Sequence, residues 1–331
     1  MNTPFSAETH PNIRRLGLGM AALGRPGYIN LGHAEDLGRR YGKEEMQQHA
    51  HVVLDIAWEK GVRYFDTARS YGLGELFLGN WLKEKGLDKS QVLISSKWGY
   101  TYTANWQIEA EKHEVKEHSL TVLDRQWKES QETLGKYLDL YQIHSATLES
   151  GVLENIAVLN RLAELKSQGV AIGLSSSGTK QTETLKRALE IEIDGKRLFD
   201  SFQSTYNILE QSVAPVLESA SSEGLSIIVK EALANGRLTV RNTAEEFADS
   251  FQVLEKVAQE LETNIDSLSL AFVLQHSWAD QVLSGAAQKE HLFSNLKAAE
   301  VHIPDEYMTQ LNQLKESPEE YWQKRKDLSW N

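Results

Sequence analysis

The sequence predicts a single-domain (β/α)8 TIM barrel, and three observations support this fold class. Eight short apolar runs recur along the 331 residues, segments with helical spacing separate them, and no linker rich in Pro, Gly or Ser divides the chain. Near-continuous apolar strands that alternate with amphipathic helices are typical of parallel sheets covered by helices. We therefore expect one domain over residues 1–331, with a barrel core at about 14–299 and a C-terminal extension at 300–331.

The eight runs have the length and apolar character of buried strands. In chain order they are Leu16–Met20, Val62–Asp66, Val92–Ser96, Leu138–Ile143, Val170–Leu174, Phe199–Gln203, Leu225–Val229 and Gln281–Ser284. Eight strand and helix units favour a closed barrel over an open sheet. The nucleotide-binding pattern of open sheets, G-x-G-x-x-G, is absent because GLGMAALG and GLGELFLG both have the wrong spacing.

The segments between the runs show the helical period. One of them has apolar residues at i, i+4, i+7 and i+11, which predicts one helix face: Val152, Ile156, Leu159 and Ala163. Three connections are longer than a barrel needs: Ala22–Gly42, Trp98–His118 and Ala234–Asn264. Loops that follow barrel strands build the active-site face. The apolar residues after Pro304 predict one additional helix.

Charge and composition exclude several classes of partner. With 35 Lys and Arg against 47 Asp and Glu, the formal net charge is −12, which disfavours nucleic acid and anionic membrane surfaces. The absence of cysteine removes disulfides, thiolate nucleophiles and Cys-ligated zinc. Neither a secretory signal nor a stretch of transmembrane length is evident, so we expect a soluble cytoplasmic protein.

Three successive strand candidates end on ionisable groups. The second leads through Asp66 to Tyr71, the third is followed by Lys97, and the fourth by His144. Taken singly, the carboxylate, phenol and imidazole are more often a helix cap, a packed ring and a core histidine. Lys97 is harder to dismiss, because a buried ammonium without a partner is costly.

Together these side chains predict a proton-donating site at the barrel mouth. A free tyrosine has a pKa of about 10, and a neighbouring cation lowers it by favouring the phenolate. Lys97 supplies that cation, and Asp66 keeps it charged and oriented. His144 would hydrogen-bond a carbonyl oxygen, to which Tyr71 would hand its proton.

In these segments the sequence resembles the aldo-keto reductases. The resemblance rests on FDTARSYG, on the lysine and histidine that close the third and fourth strands, and on IGLSSSG, and it spans about Leu16–Asn295. It implies NAD(P)H-dependent reduction of an aldehyde or ketone to an alcohol, or the reverse, with Tyr71 as general acid. The implied catalytic residues are Asp66, Tyr71, Lys97 and His144.

The resemblance also implies a set of cofactor-binding positions. Ser175 matches the serine that bonds the nicotinamide carboxamide, and Ser176 stands where many members have Asn. Lys230 stands near the position of a stacking aromatic ring, and Asn295 matches an asparagine that contacts adenine. The full expected set is Gly19, Met20, Asp66, Ser175, Ser176, Gln203, Lys230, Leu233, Gly236, Gly285, Gln288, Leu292 and Asn295.

Basic side chains for a 2′-phosphate are fewer here than in NADP-preferring relatives. Gln288 and His291 occupy positions where such relatives have basic residues. Lys289, His291 and backbone N–H groups at a helix N-terminus can still hold the phosphate. We therefore expect NADP(H) rather than NAD(H).

The expected substrate is a small carbonyl compound or alcohol. Aromatic residues of the Trp98–His118 connection, namely Trp98, Tyr100 and Trp106, would line its pocket, although such rings equally often pack a loop onto a barrel. No metal site is expected, because His49 and His51 at i, i+2 on a helix point apart. The chain is expected to be a monomer or a small homo-oligomer.

Two other functions remain open from the sequence. A Schiff-base lyase or aldolase would use Lys97 as its nucleophile, which requires a deprotonated amine that Asp66 opposes. A catalytically weak, NADP-binding redox sensor or regulatory subunit would keep the cofactor cleft but turn over little substrate.

Overall fold

The structure, a computed structural model, describes residues 15–331. Its strands are β1 (Leu16–Gly19), β2 (Tyr64–Asp66), β3 (Leu93–Trp98), β4 (Tyr100–Tyr102), β5 (Glu114–Lys116), β6 (Leu138–Ala146), β7 (Ala171–Ser176), β8 (Glu192–Ile193), β9 (Lys196–Arg197), β10 (Ser201–Thr205), β11 (Ser226–Lys230) and β12 (Gln281–Ser284). Its α-helices are α1 (His33–Asp36), α2 (Lys43–Glu59), α3 (Gly74–Lys85), α4 (Leu120–Thr133), α5 (Ile156–Ser167), α6 (Gln181–Leu189), α7 (Ala214–Ser222), α8 (Ala248–Glu260), α9 (Ile265–Leu274), α10 (Lys289–Leu296), α11 (Asp305–Asn312) and α12 (Pro318–Lys326).

Eight parallel strands close into a barrel in the order β1-β12-β11-β10-β7-β6-β3-β2. Each barrel strand overlaps one of the eight apolar runs, so the predicted (β/α)8 barrel is confirmed. β1 pairs with β12, which places Gly17 opposite Leu283. Gly17 is needed there, because a Cβ at that position would lie 2.7 Å from Cδ1 of the Tyr64 ring.

Side chains of the barrel strands alternate between two cores. Tyr64 and Leu140 belong to a small buried cluster contributed by five strands, whereas their neighbours Phe65 and Tyr141 belong to the large core beneath the helices. Since side chains alternate along a strand, the small cluster marks the inner face of the barrel. Residues two or four positions further along each strand therefore also point inside, at the carboxyl-terminal mouth.

The helix face predicted from Val152 and Ile156 is wrong, because the helix buries a different set of side chains. α5 begins only at Ile156, because the side chain of Asn155 accepts a hydrogen bond from the backbone N–H of Val158 and caps the helix. Val152 therefore lies outside the helix, and Ile156 is 64% exposed. The buried face is formed by Val158, Leu159, Leu162 and Leu165.

The three long connections contain secondary structure of their own. The first holds α1, the second holds the antiparallel hairpin β4–β5, and the third holds α8. α11 occupies the segment in which the sequence predicts an additional helix, whereas α12 has no counterpart in that prediction. Among residues 15–331, no helix combines the length and apolarity needed to cross a bilayer.

Candidate active site

The four predicted catalytic residues lie together at the barrel mouth. Asp66 follows Tyr64 by two positions on β2, and Lys97 and His144 continue the inner faces of β3 and β6 in the same way. These three strands are neighbours in the barrel. Tyr71 lies in the connection from β2 to α3, so its ring meets the other side chains above the strand ends.

A buried ion pair forms the base of the site. Lys97 Nζ donates to Asp66 Oδ2 and, at 2.9 Å, to the carbonyl oxygen of Thr67, and the two charged side chains are 0% and 3% exposed. The second carboxylate oxygen accepts hydrogen bonds from Ser95 Oγ at 2.6 Å and from Gln203 Nε2 at 3.0 Å. Hydrogen bonds and an opposite charge thus compensate the desolvation of Asp66.

Tyr71 is a neutral phenol in this environment. Its hydroxyl lies 3.4 Å from Lys97 Nζ. Burial raises the pKa of Tyr71 well above 10, Asp66 raises it further, and Arg25 opposes the change. The lowered pKa that the sequence predicts for Tyr71 is therefore wrong in its net direction, because burial and the negative charge of Asp66 outweigh the positive charges nearby. Tyr71 consequently keeps its proton at neutral pH, as a proton donor must.

His144 lies edge to face against Tyr71, with ring centroids 5.6 Å apart. Burial lowers the pKa of His144 well below 6.5, and the charges of Lys97, Lys230 and Arg25 lower it further. The imidazole is therefore neutral near pH 7 and carries one N–H. Such a ring can donate a hydrogen bond to an oxygen without competing as an acid.

His118 positions His144 from behind, a contact that the sequence reasoning missed. His118 Nε2 is 2.9 Å from the carbonyl oxygen of His144, to which the N–H tautomer donates. Gly99 makes room for this ring, because a Cβ there would lie 2.2 Å from Cδ2 of His118. Gly99 also has a φ of 106°, which favours glycine. In the sequence, only the glycine that follows Trp98 could have indicated this close contact.

Acidification is expected to destabilise the protein through three histidines. Burial lowers the pKa of His33 and of His118 to about 4, and that of His144 well below 6.5. Below about pH 6.5 these histidines become protonated in the unfolded chain while they stay neutral in the folded protein. This stability is therefore complete above about pH 6.5 and is lost as the pH falls towards 4, by at most roughly 3 kcal/mol for each of His33 and His118.

Urea unfolding between about pH 7 and pH 5 measures this loss. His118→Asn removes one titrating ring, and the variant should lose less stability over that range than the wild type. Equal losses in the two proteins would show that His118 does not contribute.

A cleft of about 1000 Å³ opens beside the predicted catalytic residues, at the upper end of the size range of ligand pockets. Tyr71 and His144 line it at the barrel mouth. The expected cofactor positions that line it are Gly19, Asp66, Gln203, Lys230, Leu233, Gly236, Gly285 and Asn295. Most of the predicted cofactor residues are thus brought to one continuous surface.

The expected cofactor positions outside this lining are Met20, Ser175, Ser176, Gln288 and Leu292. Met20 and Leu292 are fully buried in the core. Ser175 Oγ accepts a hydrogen bond from a backbone N–H of β6, and Ser176 Oγ bonds to a serine of β10. These four side chains are therefore already engaged by the barrel itself.

The three aromatic residues predicted to wall the substrate pocket, Trp98, Tyr100 and Trp106, are not part of the lining of the cleft. The Tyr100 ring lies 4.9 Å from that of His144. Trp98 is fully buried in the core, and Trp106 Nε1 donates to the carbonyl oxygen of Tyr41 at 2.5 Å. Trp98 and Trp106 thus pack their connection onto the barrel, which is the alternative that the sequence left open.

α12 and the residues after it form a wall of the cleft that the sequence reasoning missed. Trp322 and Trp330 line the cleft beside Tyr28. The backbone of Asn331 exchanges two hydrogen bonds of 3.1 Å with that of Tyr28. Segments from opposite ends of the described chain therefore meet over the opening.

The end of β11 makes the cleft locally positive although the whole chain is acidic. Lys230 Nζ donates to Thr205 Oγ1 at 2.6 Å, and burial lowers the pKa of Lys230 to about 8. Burial opposes ionisation of Glu231, but Arg325 of α12 and Lys230 outweigh it and lower the pKa of Glu231 to about 2. Two cations thus face one carboxylate here, which suits an anionic ligand.

Two buried amide oxygens indicate that the cleft is shaped for a ligand. Gln203 Oε1 and Asn295 Oδ1 have no hydrogen-bond partner within residues 15–331, although each side chain belongs to a residue that is 1% exposed. Buried acceptors without partners are costly and call for explanation. The amino groups of a nicotinamide carboxamide and of adenine are donors of the required kind, so these residues fit a nicotinamide dinucleotide.

Comparisons with known proteins agree with the fold. The model of the aldo/keto reductase family matches residues 15–316. A D-threo-aldose 1-dehydrogenase of Pseudomonas sp is 27% identical, over 90% of this chain and 95% of that protein. A pyridoxal 4-dehydrogenase of Microbacterium luteolum is 25% identical, also over 90% of this chain and 95% of that protein.

Among solved structures, the holo form of an aldo-keto reductase from Bacillus halodurans has the same fold. It matches with a TM-score of 0.69 at 22% identity, over 92% of this chain and 93% of that chain. The family match spans all eight barrel strands and each of the four residues at the barrel mouth. Members of that family are oxidoreductases that use nicotinamide cofactors and act on small carbonyl compounds. The chain belongs to the aldo/keto reductase family.

Proposed function

We propose that the chain reduces an aldehyde or ketone to the alcohol with a nicotinamide dinucleotide, or catalyses the reverse oxidation. The observation that supports this most directly is the position of Tyr71, whose hydroxyl lies 3.4 Å from Lys97 Nζ and whose ring packs against His144 at the mouth of the cleft. Proton donor, cation and neutral hydrogen-bond donor thus surround one point, where a carbonyl oxygen would lie.

Each side chain has a separate task in this proposal. A bound nicotinamide supplies the hydride that the carbonyl carbon accepts. Tyr71 gives its phenolic proton to the carbonyl oxygen, whose π electrons become the new O–H bond, and Lys97 stabilises the phenolate left behind. His144 donates its N–H to the same oxygen and fixes the orientation of the carbonyl group.

The dinucleotide would be held along the cleft by a few polar side chains and by close backbone contacts. Gln203 and Asn295 each offer a free amide oxygen, and Gly19, Gly236 and Gly285 let the backbone approach the ligand. The sequence predicts NADP(H) for this site. That choice of cofactor depends on whether the cleft can bind a 2′-phosphate.

The Schiff-base alternative is disfavoured by the contacts of Lys97. A lysine nucleophile needs a free lone pair, whereas Lys97 Nζ donates to the Asp66 carboxylate and to the carbonyl oxygen of Thr67. The same contacts hold the amino group of Lys97 beside the phenol of Tyr71. We therefore assign Lys97 an electrostatic role.

Following the absorbance of NADH and NADPH separately, with aldehydes, ketones, aldoses and pyridoxal, tests the proposal. The names of the two relatives direct the choice of aldoses and pyridoxal. At least one reduced dinucleotide should be oxidised by a member of the panel. Tight cofactor binding without any turnover would instead support a regulatory subunit, and a borohydride-trapped adduct on Lys97 would support a lyase.

A further inference from the structure

The cleft extends past the barrel rim into a region between α1, α9 and α10. The charged and polar residues that line this region are Asp36, Arg241, Asp266, His291 and Asn295. Asp36 ends α1, Asp266 lies in the first turn of α9, and His291 lies in α10. If the proposed function holds, a dinucleotide with its nicotinamide at the catalytic phenol places its adenosine in this region.

Asn295 has an unpaired amide oxygen, which indicates that a ligand binds in this region. Its Nδ2 donates to Ser284 Oγ at 2.8 Å, whereas Oδ1 has no partner among residues 15–331. The residue is 1% exposed, so water does not readily replace the missing donor. A base that carries an amino group would satisfy this oxygen.

Arg241 is the guanidinium nearest to this region, and both of its terminal nitrogens are engaged. Nη1 donates to the carbonyl oxygen of Leu31 and to Asp36 Oδ2, each at 2.9 Å, and Nη2 donates to Asp36 Oδ1. This two-pronged pair is the strongest arrangement of arginine and carboxylate. Gly32 allows the close approach, because a Cβ there would lie 2.7 Å from Nη1. Arg241 is thus committed to the loop that carries Asp36.

The other side chains that the sequence assigns to a 2′-phosphate also contact protein groups. Gln288 Nε2 donates to the carbonyl oxygen of Asp36 at 2.7 Å, so Gln288 positions Asp36 instead of a ligand. His291 Nε2 lies 3.3 Å from Arg241 Nη2, and its Nδ1 lies 3.7 Å from Asp36 Oδ2. Lys289 is 58% exposed and pairs with a glutamate at the surface.

Asp36 retains the capacity to bind a donor. A carboxylate offers about four lone-pair directions, and the two hydrogen bonds from Arg241 occupy only half of them. The 2′-hydroxyl of an adenosine ribose is a donor from which such a carboxylate can accept a hydrogen bond. A 2′-phosphate would instead bring about two negative charges to a region where Asp36 and Asp266 already face the single guanidinium of Arg241.

We infer that Asp36, held by Arg241 and Gln288, makes the cleft select NAD(H) over NADP(H), the opposite of the preference that the sequence predicts. The inference deepens the proposed function and rests on it. It assigns to Asp36 a specificity-determining role and leaves the catalytic residues unchanged.

Equilibrium titration of the full chain with NADH and with NADPH tests the inference without any turnover. Quenching of tryptophan fluorescence reports binding, because Trp322 and Trp330 line the cleft. NADH should bind at least about tenfold more tightly than NADPH, since Asp36 and Asp266 repel the negative charges of a 2′-phosphate. Asp36→Ser should reduce the ratio of the two Kd values by about tenfold or invert it, because Arg241 is then released to meet a phosphate.

Glu35→Ser is the matched control. It makes the same change of charge one residue earlier in α1, at a side chain that is 62% exposed and pairs with Arg39. The control should leave the ratio within about twofold, since exposed charges are screened.

A wild-type protein that binds NADPH as tightly as NADH, or more tightly, would overturn the inference and leave the proposed function standing. An Asp36→Ser ratio equal to that of Glu35→Ser would also overturn it. If neither dinucleotide binds, the proposed function fails together with the inference. The wild-type comparison decides the matter even if Asp36→Ser does not fold.

Discussion

Tyr71→Phe is expected to lower kcat for carbonyl reduction by about 10²–10⁴-fold, the usual contribution of a positioned proton donor. Phenylalanine keeps the ring that packs against His144 and removes only the transferable proton. The Kd of the reduced dinucleotide should therefore stay within about twofold of the wild-type value. Steady-state kinetics and a binding titration on the same preparations separate the two quantities.

Tyr100→Phe is the matched control for this variant. Tyr100 also packs against His144, at a centroid distance of 4.9 Å, but it lies outside the ion pair of the site. Loss of its hydroxyl should change kcat by less than about tenfold, because no proton leaves from it. Equal losses in the two variants would contradict the assignment of Tyr71 as the donor.

Lys97→Met is expected to cost both stability and activity. The variant leaves Asp66, which is 3% exposed, without its cation. Breaking one partner of a buried ion pair typically costs about 3–5 kcal/mol, so the free energy of unfolding in urea should fall by that order. kcat should fall as well, because no charge remains to stabilise the Tyr71 phenolate.

The double variant Asp66→Asn/Lys97→Met separates these two effects. Removing both charges abolishes the uncompensated carboxylate, so the double variant should be more stable than Lys97→Met alone. Its kcat should nevertheless remain low, since the cation is still missing. A double variant that is less stable than the single one, or that recovers wild-type kcat, would contradict the role of this pair.

The barrel was predictable because its signal is local. The run Val62–Asp66 contains β2, and the other seven runs likewise overlap the barrel strands. The ends of the strands were predicted less accurately. β3 continues through Lys97 to Trp98, beyond the predicted end at Ser96, because the ion pair with Asp66 allows the inward-facing lysine to be buried. The start of α5, and with it the buried face of the helix, is set by the cap at Asn155, which cannot be recognised from the spacing of apolar residues.

The convergence of Asp66, Tyr71, Lys97 and His144 was also predictable, since carboxyl ends of neighbouring parallel strands meet at one face. What the sequence could not show were contacts between distant segments. Arg325 meets Glu231 across 94 positions, and Arg241 meets Asp36 across 205. The raised pKa of Tyr71 could not be predicted for the same reason, because its burial depends on which distant segments pack around the phenol.

The most direct test of the central claim is a single-turnover measurement with reduced dinucleotide already bound. Oxidation of the bound nicotinamide by a saturating aldehyde is followed in H2O and in D2O, for the wild type and for Tyr71→Phe. The account predicts a slower wild-type rate in D2O, and a much slower Tyr71→Phe rate that is no longer sensitive to the solvent isotope. Equal rates of oxidation in the two proteins would contradict proton donation by Tyr71.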